Sequence, residues 1–457
     1  MFTKSEAAKP RFLFILSFNR GAMLKQFIER QKELVDPIGL AFFRIAFGLF
    51  MAWEMLYLIR IDFVDVYLIR PGIVFGYDIL QLPMLPDGLL KLMPLLLLAA
   101  ACMISLGVYF KQAAWFFGIG FGYLFFLDKC IYNNHLYLSA LLAILLALTP
   151  ADKAFALRPD KKVNPVRRWH FLILQVQICI VYFYGGIAKL NSDWLFAWQP
   201  TLEILNQSNF LANILGTDVA AALLVYGGLV FDLGISFLLF WRKSLPVAIV
   251  LVIIFNLLNS TIFNDINIFP YMMMAAMVLF MPSEWLRKWS KGSWKPAKLA
   301  APEFGKPLLA FLVIYFIFQF TFPFRHLMFP GNPDWTMEGQ RFSWRMKVQH
   351  REVKQVEFSI LDHQTKTVYP VEMGGYNMHE DQMRLLAADP ACIQQFGKYL
   401  HDFQAPKLNS FKVEVKGKVQ VTFNGRAPQY VVDPDADLSQ LKRSLFTHSD
   451  WILPLEE

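Results

Sequence analysis

Long apolar blocks separated by short polar segments dominate the first two thirds of the chain. Each block approaches the roughly 20 residues that an α-helix needs to cross a bilayer. The pattern predicts nine membrane spans, and eight is an alternative because the third, seventh and eighth blocks are short or polar. The predicted spans are approximately residues 37–61, 89–108, 112–127, 131–150, 169–189, 218–241, 245–264, 266–282 and 306–324.

From about residue 325 the pattern changes to the alternating, β-branched pattern that is typical of strands. Predicted strands lie in "RFSWRMKVQH", "VKQVEFSILD", "KTVYPVEM" and "NSFKVEVKGKVQVTFNG", and predicted short helices lie in "HEDQMRLLAAD" and "PACIQQFGKYLHDF". The expected fold is a polytopic α-helical membrane domain followed by a small α+β, mostly β, extramembrane domain. We expect a basic N-terminal arm at 1–36, the membrane domain at 37–324 and the C-terminal domain at 325–457.

Composition and charge support a membrane protein. The chain is 56% hydrophobic and only 18% charged, below the roughly 25% of soluble domains. Lysine and arginine concentrate in alternate segments, which indicates orientation in a membrane and not a nucleic-acid surface. The basic segments are 1–36, Lys111, 151–168, Arg242–Lys243 and 283–305. With nine spans, the N-terminus is predicted inside and the C-terminal domain on the outer (periplasmic, extracellular or lumenal) face.

The sequence predicts no metal or haem. The four cysteines show no paired spacing of a metal site or disulfide framework. His135 lies near the outer end of its predicted span and His170 near the inner end, so the two cannot ligate one haem. Glycine-rich nucleotide-binding loops are also absent from the sequence.

Polar residues gather at the outer ends of three spans that are remote in sequence. The contributing segments are "LDKCIYNNHLYL", "YGGIAKLNSDW" and "FNLLNSTIFNDINIFPY". Polar groups at this depth cost free energy unless they are partnered, and charged groups cost up to ~2.5–3.5 kcal/mol at the bilayer centre. Their convergence therefore favours a functional site.

Structural roles are the alternative for each of these groups. Lys189 can be a snorkelling anchor, and His135 can be a local hydrogen-bond partner. Arg44 and Glu54 in the first span, and Asp232 in "GGLVFDLGISF", can pair with neighbouring helices.

Both "LDKCIYNNHLYLSALL" and "QVQICIVYFYGGIAKLNSDW" resemble the vitamin K-dependent γ-glutamyl carboxylases. The resemblance continues through "YGGLVFDLGISFLLF", "NLLNSTIFNDINIFPY", "RFSWRMKVQH" and "NGRAPQYVVDP" to "FTHSDWILPLEE", so it covers nearly the whole chain. The chain departs from the family at two points. Ala188 precedes Lys189 where animal members carry a lysine pair, and Arg345 follows Trp344 where the family has an aspartate. The outer region is also expected to be shorter than in animal members.

The resemblance implies an oxygenase that converts vitamin K hydroquinone to its epoxide. The strong base formed on the way would drive γ-carboxylation of glutamate in a protein or peptide, with O2 and CO2. It further implies that Lys189 is the initiating base and that His135 and Asn134 orient or stabilise oxygenated intermediates. We assign quinone binding to Asn133, Asn191, Asn259, Tyr182 and Arg44.

A lysine serves as a base near neutral pH only where burial disfavours its charged form. We expect apolar surroundings at the span end, beneath an isoprenoid tail, to supply that burial. The alternative function is a non-catalytic quinone- or lipid-binding membrane protein, or a transporter that uses the same outer polar cavity.

Overall fold

The computed structural model of the protein describes residues 20–78, 80–157, 165–207, 209–263, 266–290, 305–408 and 412–457. Residues 1–19 of the predicted arm, and the stretches 158–164 and 291–304 of the basic segments, lie outside this part of the chain. In chain order the helices are α1 (Arg20–Lys32), α2 (Ile38–Arg60), α3 (Asp87–Leu106), α4 (Phe110–Leu127), α5 (Asn134–Ala147), α6 (Trp169–Ala188), α7 (Ser192–Leu195), α8 (Thr201–Gln207), α9 (Asn209–Leu215), α10 (Thr217–Phe240), α11 (Leu245–Ile262), α12 (Phe269–Leu279), α13 (Ser283–Ser290), α14 (Lys306–Met328), α15 (Pro333–Thr336), α16 (Glu380–Ala388) and α17 (Pro390–Gln404). The strands are β1 (Leu34–Val35), β2 (Val166–Arg167), β3 (Arg351–Asp362), β4 (Thr367–Pro370), β5 (Val413–Phe423) and β6 (Gln429–Tyr430).

Seven of these helices are long and apolar enough to cross a membrane, and α5 and α12 are shorter apolar helices. α5 has 14 residues, which span about 21 Å, less than the ~30 Å of a hydrocarbon core. Its start lies beside the C-terminal domain, where Asn134 Nδ2 donates a hydrogen bond to the Arg345 carbonyl at 3.2 Å. α6 begins at the opposite end, next to the ribbon in which Leu34 of β1 pairs with Arg167 of β2. The chain therefore crosses the bundle along α5.

The second short helix, α12, also crosses the bundle. It follows the end of α11, and the carbonyl of Leu279 at its far end accepts a hydrogen bond from Gln175 Nε2 at 2.8 Å. Gln175 lies near the start of α6, away from the C-terminal domain. Over the described ranges, the seven long and two short helices agree with the prediction of about eight or nine spans. The third and seventh spans form 18-residue helices, so the short members are the fourth and the eighth.

The C-terminal domain contains an antiparallel sheet in the order β4-β3-β5-β6. β5 alternates between buried and more exposed positions along its whole length, as its sequence pattern predicts. α16 and α17 pack on this sheet and begin at side-chain caps supplied by His379 and Asp389. The predicted small α+β domain is therefore confirmed.

One predicted strand is wrong. The segment "RFSWRMKVQH" forms turns, with positive φ angles at Phe342 (61°), Trp344 (56°) and Lys347 (54°). Trp344 is fully buried and stacks on Tyr137 of α5, with ring centroids 5.0 Å apart. The aromatic side chains at alternate positions pack against membrane helices and not within a sheet. We call residues 341–347 the plug.

The C-terminal domain is also joined to the loop between α2 and α3. Ile73 and Phe75 of this loop belong to the domain core. Gln382 Nε2 of α16 donates hydrogen bonds to the Ile73 carbonyl at 3.1 Å and to the Asp128 carboxylate, at the end of α4, at 3.0 Å. The domain is thus fixed to one end of the helix bundle.

Candidate functional site

Two glycines near the end of α6 allow close approach of α10. A Cβ at Gly186 would lie 2.7 Å from Leu233 Cδ2 and 3.0 Å from the Leu233 backbone nitrogen. A Cβ at Gly185 would lie 3.5 Å from the Asp232 carboxylate. Because Gly186 lacks a side chain, α10 can approach α6 closely and bring Asp232 against the last residues of α6.

Lys189 follows the last residue of α6, and its Nζ forms an ion pair with the Asp232 carboxylate. The side chains of the lysine and the aspartate are only 11% and 5% exposed, respectively. The ring of Trp194, on α7, lies 5.3 Å from Lys189 Nζ and is fixed by its own hydrogen bond to the Val225 carbonyl at 3.1 Å. Lys189 therefore points into the protein and does not snorkel towards the headgroups. The surroundings also differ from the purely apolar ones expected from sequence, since a carboxylate is present.

The pair lies well below the start of α10. Asp232 follows Thr217 by about 15 residues, or roughly 22 Å of helix. The intervening turns of α10 carry exposed apolar side chains such as Val219 and Val230. Asp232 therefore lies at a depth where α10 carries exposed apolar side chains, although Lys189 comes directly after the end of α6.

Tyr182 lies two helical turns before Lys189, on the same face of α6. Its hydroxyl accepts a hydrogen bond from Asn256 Nδ2 of α11 at 3.1 Å. Asn259 follows three residues later on α11 and is partly buried. Tyr182 therefore lies on the helix that ends at Lys189, and Asn256 and Asn259 lie on the neighbouring α11.

The asparagines near α5 have defined structural partners. Asn133 Oδ1 accepts a hydrogen bond from the His135 backbone nitrogen at 3.4 Å and caps α5. Asn134 Oδ1 accepts one from the Tyr132 hydroxyl at 2.8 Å. The ring of His135 is buried, with its centroid 6.1 Å from that of Phe269 on α12. This group lies at the same end of the bundle as Lys189.

The last two predicted residues occupy different ends of the bundle. Asn191 caps α7: its Oδ1 accepts from the Trp194 backbone nitrogen at 3.0 Å, and its Nδ2 donates to the Ala188 carbonyl at 2.9 Å. Arg44 lies at the opposite end, where Nη2 donates to the Phe155 carbonyl at 2.7 Å. The structure therefore brings Asn191 close to Lys189 and does not bring Arg44 there.

Sequence reasoning missed the partnership of Asp232 with Lys189. In the sequence, Asp232 is an isolated acid that can pair with any neighbouring helix. Counting depth from the start of α10 would place it far from the end of α6, because the two helices are staggered. The glycine pair beside the lysine was the available signal, since adjacent glycines indicate close helix contact.

Two families match the chain. Residues 33–285, more than half of the 457-residue chain, match the HTTM domain family. Residues 305–457 match the family described as vitamin K-dependent gamma-carboxylase, lumenal domain. The chain belongs to the vitamin K-dependent γ-carboxylase family. No solved structure matches it.

This γ-carboxylase family member is an integral membrane protein, and its C-terminal domain corresponds to the lumenal domain of the family. The lumenal domain reaches the site at α7. Asp193 accepts hydrogen bonds from Asn424 Nδ2 at 2.8 Å and from Arg426 Nη2 at 2.7 Å. Burial alone would raise the pKa of Asp193, but these donors outweigh it and hold the pKa below its ordinary value. Because Asp193 and Trp194 are neighbours on α7, these hydrogen bonds attach α7, which covers Lys189, to the lumenal domain.

The plug supplies a second contact from the lumenal side. Met346 Cε lies 3.4 Å from the position that a Cβ at Gly185 would occupy, beside the ion pair. Two cavities, of about 550 and 520 Å³, lie elsewhere, on the lumenal domain and between α2 and α12. Among the described residues, no group of three or more His, Cys, Asp or Glu side chains could hold a metal ion.

Proposed function

We propose that this γ-carboxylase family member converts vitamin K hydroquinone to its epoxide with O2 and couples that reaction to γ-carboxylation of glutamate side chains with CO2. The observation that carries the proposal is the buried pair of Lys189 and Asp232, enclosed between the membrane helices and the lumenal domain. Lys189 accepts the proton of a hydroquinone hydroxyl.

The surroundings of the pair suit an aromatic, apolar substrate. Phe231 and Phe255, whose stacked ring centroids are 3.9 Å apart, lie on α10 and α11, and Phe231 packs edge-on against Tyr182. Ligand sites of this kind are mostly apolar, with few polar groups that fix orientation. Tyr182 and Asn259 are the side chains we assign to quinone contact.

The other predicted residues take supporting roles. We propose that His135 and Asn134 stabilise negative charge that develops on oxygen, as preorganised hydrogen-bond donors do. Asn133 and Asn191 act through the helix caps that place His135 and Trp194. Arg44 takes no part, because it lies at the far end of the bundle.

A protein or peptide is the proposed glutamyl substrate. β4 is an edge strand whose residues are all exposed, and it borders the 550 Å³ cavity lined by Tyr376, Tyr399 and Phe403. An exposed edge beside an aromatic groove is suited to binding an extended peptide. The bilayer supplies the quinone, and its apolar interior admits O2 and CO2.

The test is turnover of vitamin K hydroquinone under air by the purified protein, with labelled CO2 and a short glutamate-containing peptide. Lys189→Ala and Lys189→Arg are expected to lose epoxide formation by roughly 100-fold or more, the contribution of a general base. Arg cannot replace the lysine because its guanidinium is not deprotonated in proteins. His135→Ala is expected to lower the rate while leaving quinone binding in place.

The outcomes separate the two halves of the proposal. Epoxide with label in the peptide supports both halves, and epoxide without label supports the oxygenase half alone. A folded wild-type protein that binds vitamin K quinone but forms no epoxide contradicts the proposal and supports a non-catalytic quinone-binding or transport protein.

A further inference from the structure

Asp232 is a buried carboxylate in direct contact with the lysine to which the proposed function assigns the proton transfer. We infer that Asp232 is the proton-holding partner of Lys189, so that the two side chains together, and not the lysine alone, accept the hydroquinone proton. This inference rests on the proposed function for its catalytic meaning. The pairing itself can be tested without turnover.

The enclosure of the pair favours a shared proton. Gly185 lies against the Asp232 carboxylate at the helix interface, and Trp194 covers Lys189 from α7. Moving two separate charges out of water into a protein interior is strongly unfavourable. An amine beside a carboxylic acid carries the same number of protons without separated charge, and such strongly interacting groups titrate as one unit.

The proton balance explains how the pair acts as a base. In the resting state the pair holds one proton and is neutral overall. The O–H bond of the hydroquinone breaks, its proton moves to the pair, and the electron pair stays on the hydroquinone oxygen. The pair then holds two protons, as ammonium and carboxylic acid, and its single positive charge faces the hydroquinone anion. No oxidant or reductant is needed in this step.

Without the carboxylate, the lysine is the sole proton acceptor, and a lysine that already carries its proton cannot accept another. The carboxylate raises the number of protons that the site can hold and leaves the neutral state ready to react.

On the elements next to this pair, the following titratable or charged side chains have partners of their own. On α6, Tyr182 is held by Asn256 of α11. On α7, Asp193 is neutralised by Arg426. From the plug, the guanidinium of Arg345 is paired with a carboxylate of the lumenal domain. Among the described residues, Lys189 is the basic side chain that pairs with Asp232.

Asp232→Asn and Asp232→Glu test the inference in the full-length protein in lipid nanodiscs. We expect the acid limb of kcat/KM for epoxide formation to move to higher pH in Asp232→Asn by about one unit, a tenfold loss at pH 7. The affinity for vitamin K quinone, the oxidised form that does not turn over, should stay within about twofold because Asn and Asp have nearly the same shape and volume. Asp232→Glu should restore the acid limb, since it restores the carboxyl.

A matched control is Glu54→Gln. Glu54 is also a buried carboxyl in a membrane helix, 3% exposed, but it lies on α2 against the 520 Å³ cavity and not beside Lys189. Its removal should leave the acid limb unchanged. An acid limb that moves equally in both variants would overturn the inference, because the effect would then be general.

Infrared difference spectra give a readout that does not depend on turnover. At neutral pH, wild type minus Asp232→Asn should show the carbonyl stretch of a protonated carboxyl, and Asp232→Glu should retain that band at a shifted position. If Asp232→Asn fails to fold, the shifted band of Asp232→Glu carries the same information. Absence of the band contradicts the inference. A band in a wild type that forms no epoxide would uphold the pairing and reject the proposed function.

Discussion

At the scale of single residues, Asp193 fixes the contact between the lumenal domain and α7, the helix that covers Lys189. Its carboxylate accepts hydrogen bonds from Asn424 Nδ2 and from both Nη atoms of Arg426. The next residue, Trp194, covers Lys189. A carboxylate in a bidentate pair is held in a fixed geometry. The position of α7 over Lys189 therefore depends on Arg426, which lies more than two hundred residues away in the chain.

Arg426→Gln should destabilise this contact, because it leaves Asp193 buried without its cation. We expect a loss of up to about 3 kcal/mol, seen as a lower midpoint of thermal unfolding in detergent. Arg384→Gln is the control, since the pair of Arg384 with Glu380 is exposed and such pairs contribute ~0–1 kcal/mol. Equal effects of the two substitutions would contradict the assigned role.

The same contact predicts a pH dependence. The folded-state pKa of Asp193 lies below its ordinary value, so its stabilisation is fully present above that value. It is lost as the pH falls below the ordinary 3.8 towards the folded-state pKa, because protonation removes the charge that Arg426 binds. Thermal unfolding measured between pH 6 and pH 3 should show a steeper decline for wild type than for Arg426→Gln.

At the scale of elements, the two adjacent glycines of α6 are not equivalent. A Cβ at Gly186 meets the Leu233 backbone, whereas a Cβ at Gly185 makes ordinary contacts at 3.4 and 3.5 Å. Gly186→Ala should force α6 and α10 apart at a cost of ~1–3 kcal/mol and lower epoxide formation with it. Gly185→Ala should fold and bind quinone like wild type. Identical unfolding midpoints for the two variants would show that the helix contact is not what positions Lys189.

A helix or strand could be predicted from the sequence where its pattern of apolar residues fits a single type of structure. The membrane helices follow from apolar runs, β5 from alternation along its whole length, and β3 from alternation in its second half. The plug also alternates, but its aromatic residues pack against α5, as Trp344 does on Tyr137. A local sequence pattern predicts that a side chain is buried, but it does not predict which element of the fold that side chain packs against. For the same reason the Lys189–Asp232 contact required the fold, since helix stagger sets which residues meet.

At the scale of the whole molecule, the number of crossings fixes where the two ends of the chain lie. Seven long and two short helices give an odd number over the described ranges, so α1 and the lumenal domain are expected on opposite sides. The distribution of lysine and arginine predicts that α1 is inside.

Single cysteines at Lys25 and Asp435, both exposed, test this arrangement after the four native cysteines are replaced. In sealed, right-side-out vesicles, a membrane-impermeant maleimide should label Asp435→Cys directly and Lys25→Cys only after the vesicles are opened. Labelling of both positions from one side would require an even number of crossings and would contradict the assignment of α5 and α12.

The covering of Lys189 by α7 and the plug separates two tasks that many enzymes combine in one domain. The membrane helices hold the reactive lysine through contacts of their own, such as that between Gly186 and Leu233. What lies above the lysine is set by residues after Gly305, through Arg426 and Met346. Replacing α7 and the plug would change which molecules reach Lys189, while the position of Lys189 would stay the same. The chain is in this sense modular: the membrane helices position the lysine, and α7 and the plug determine what lies over it.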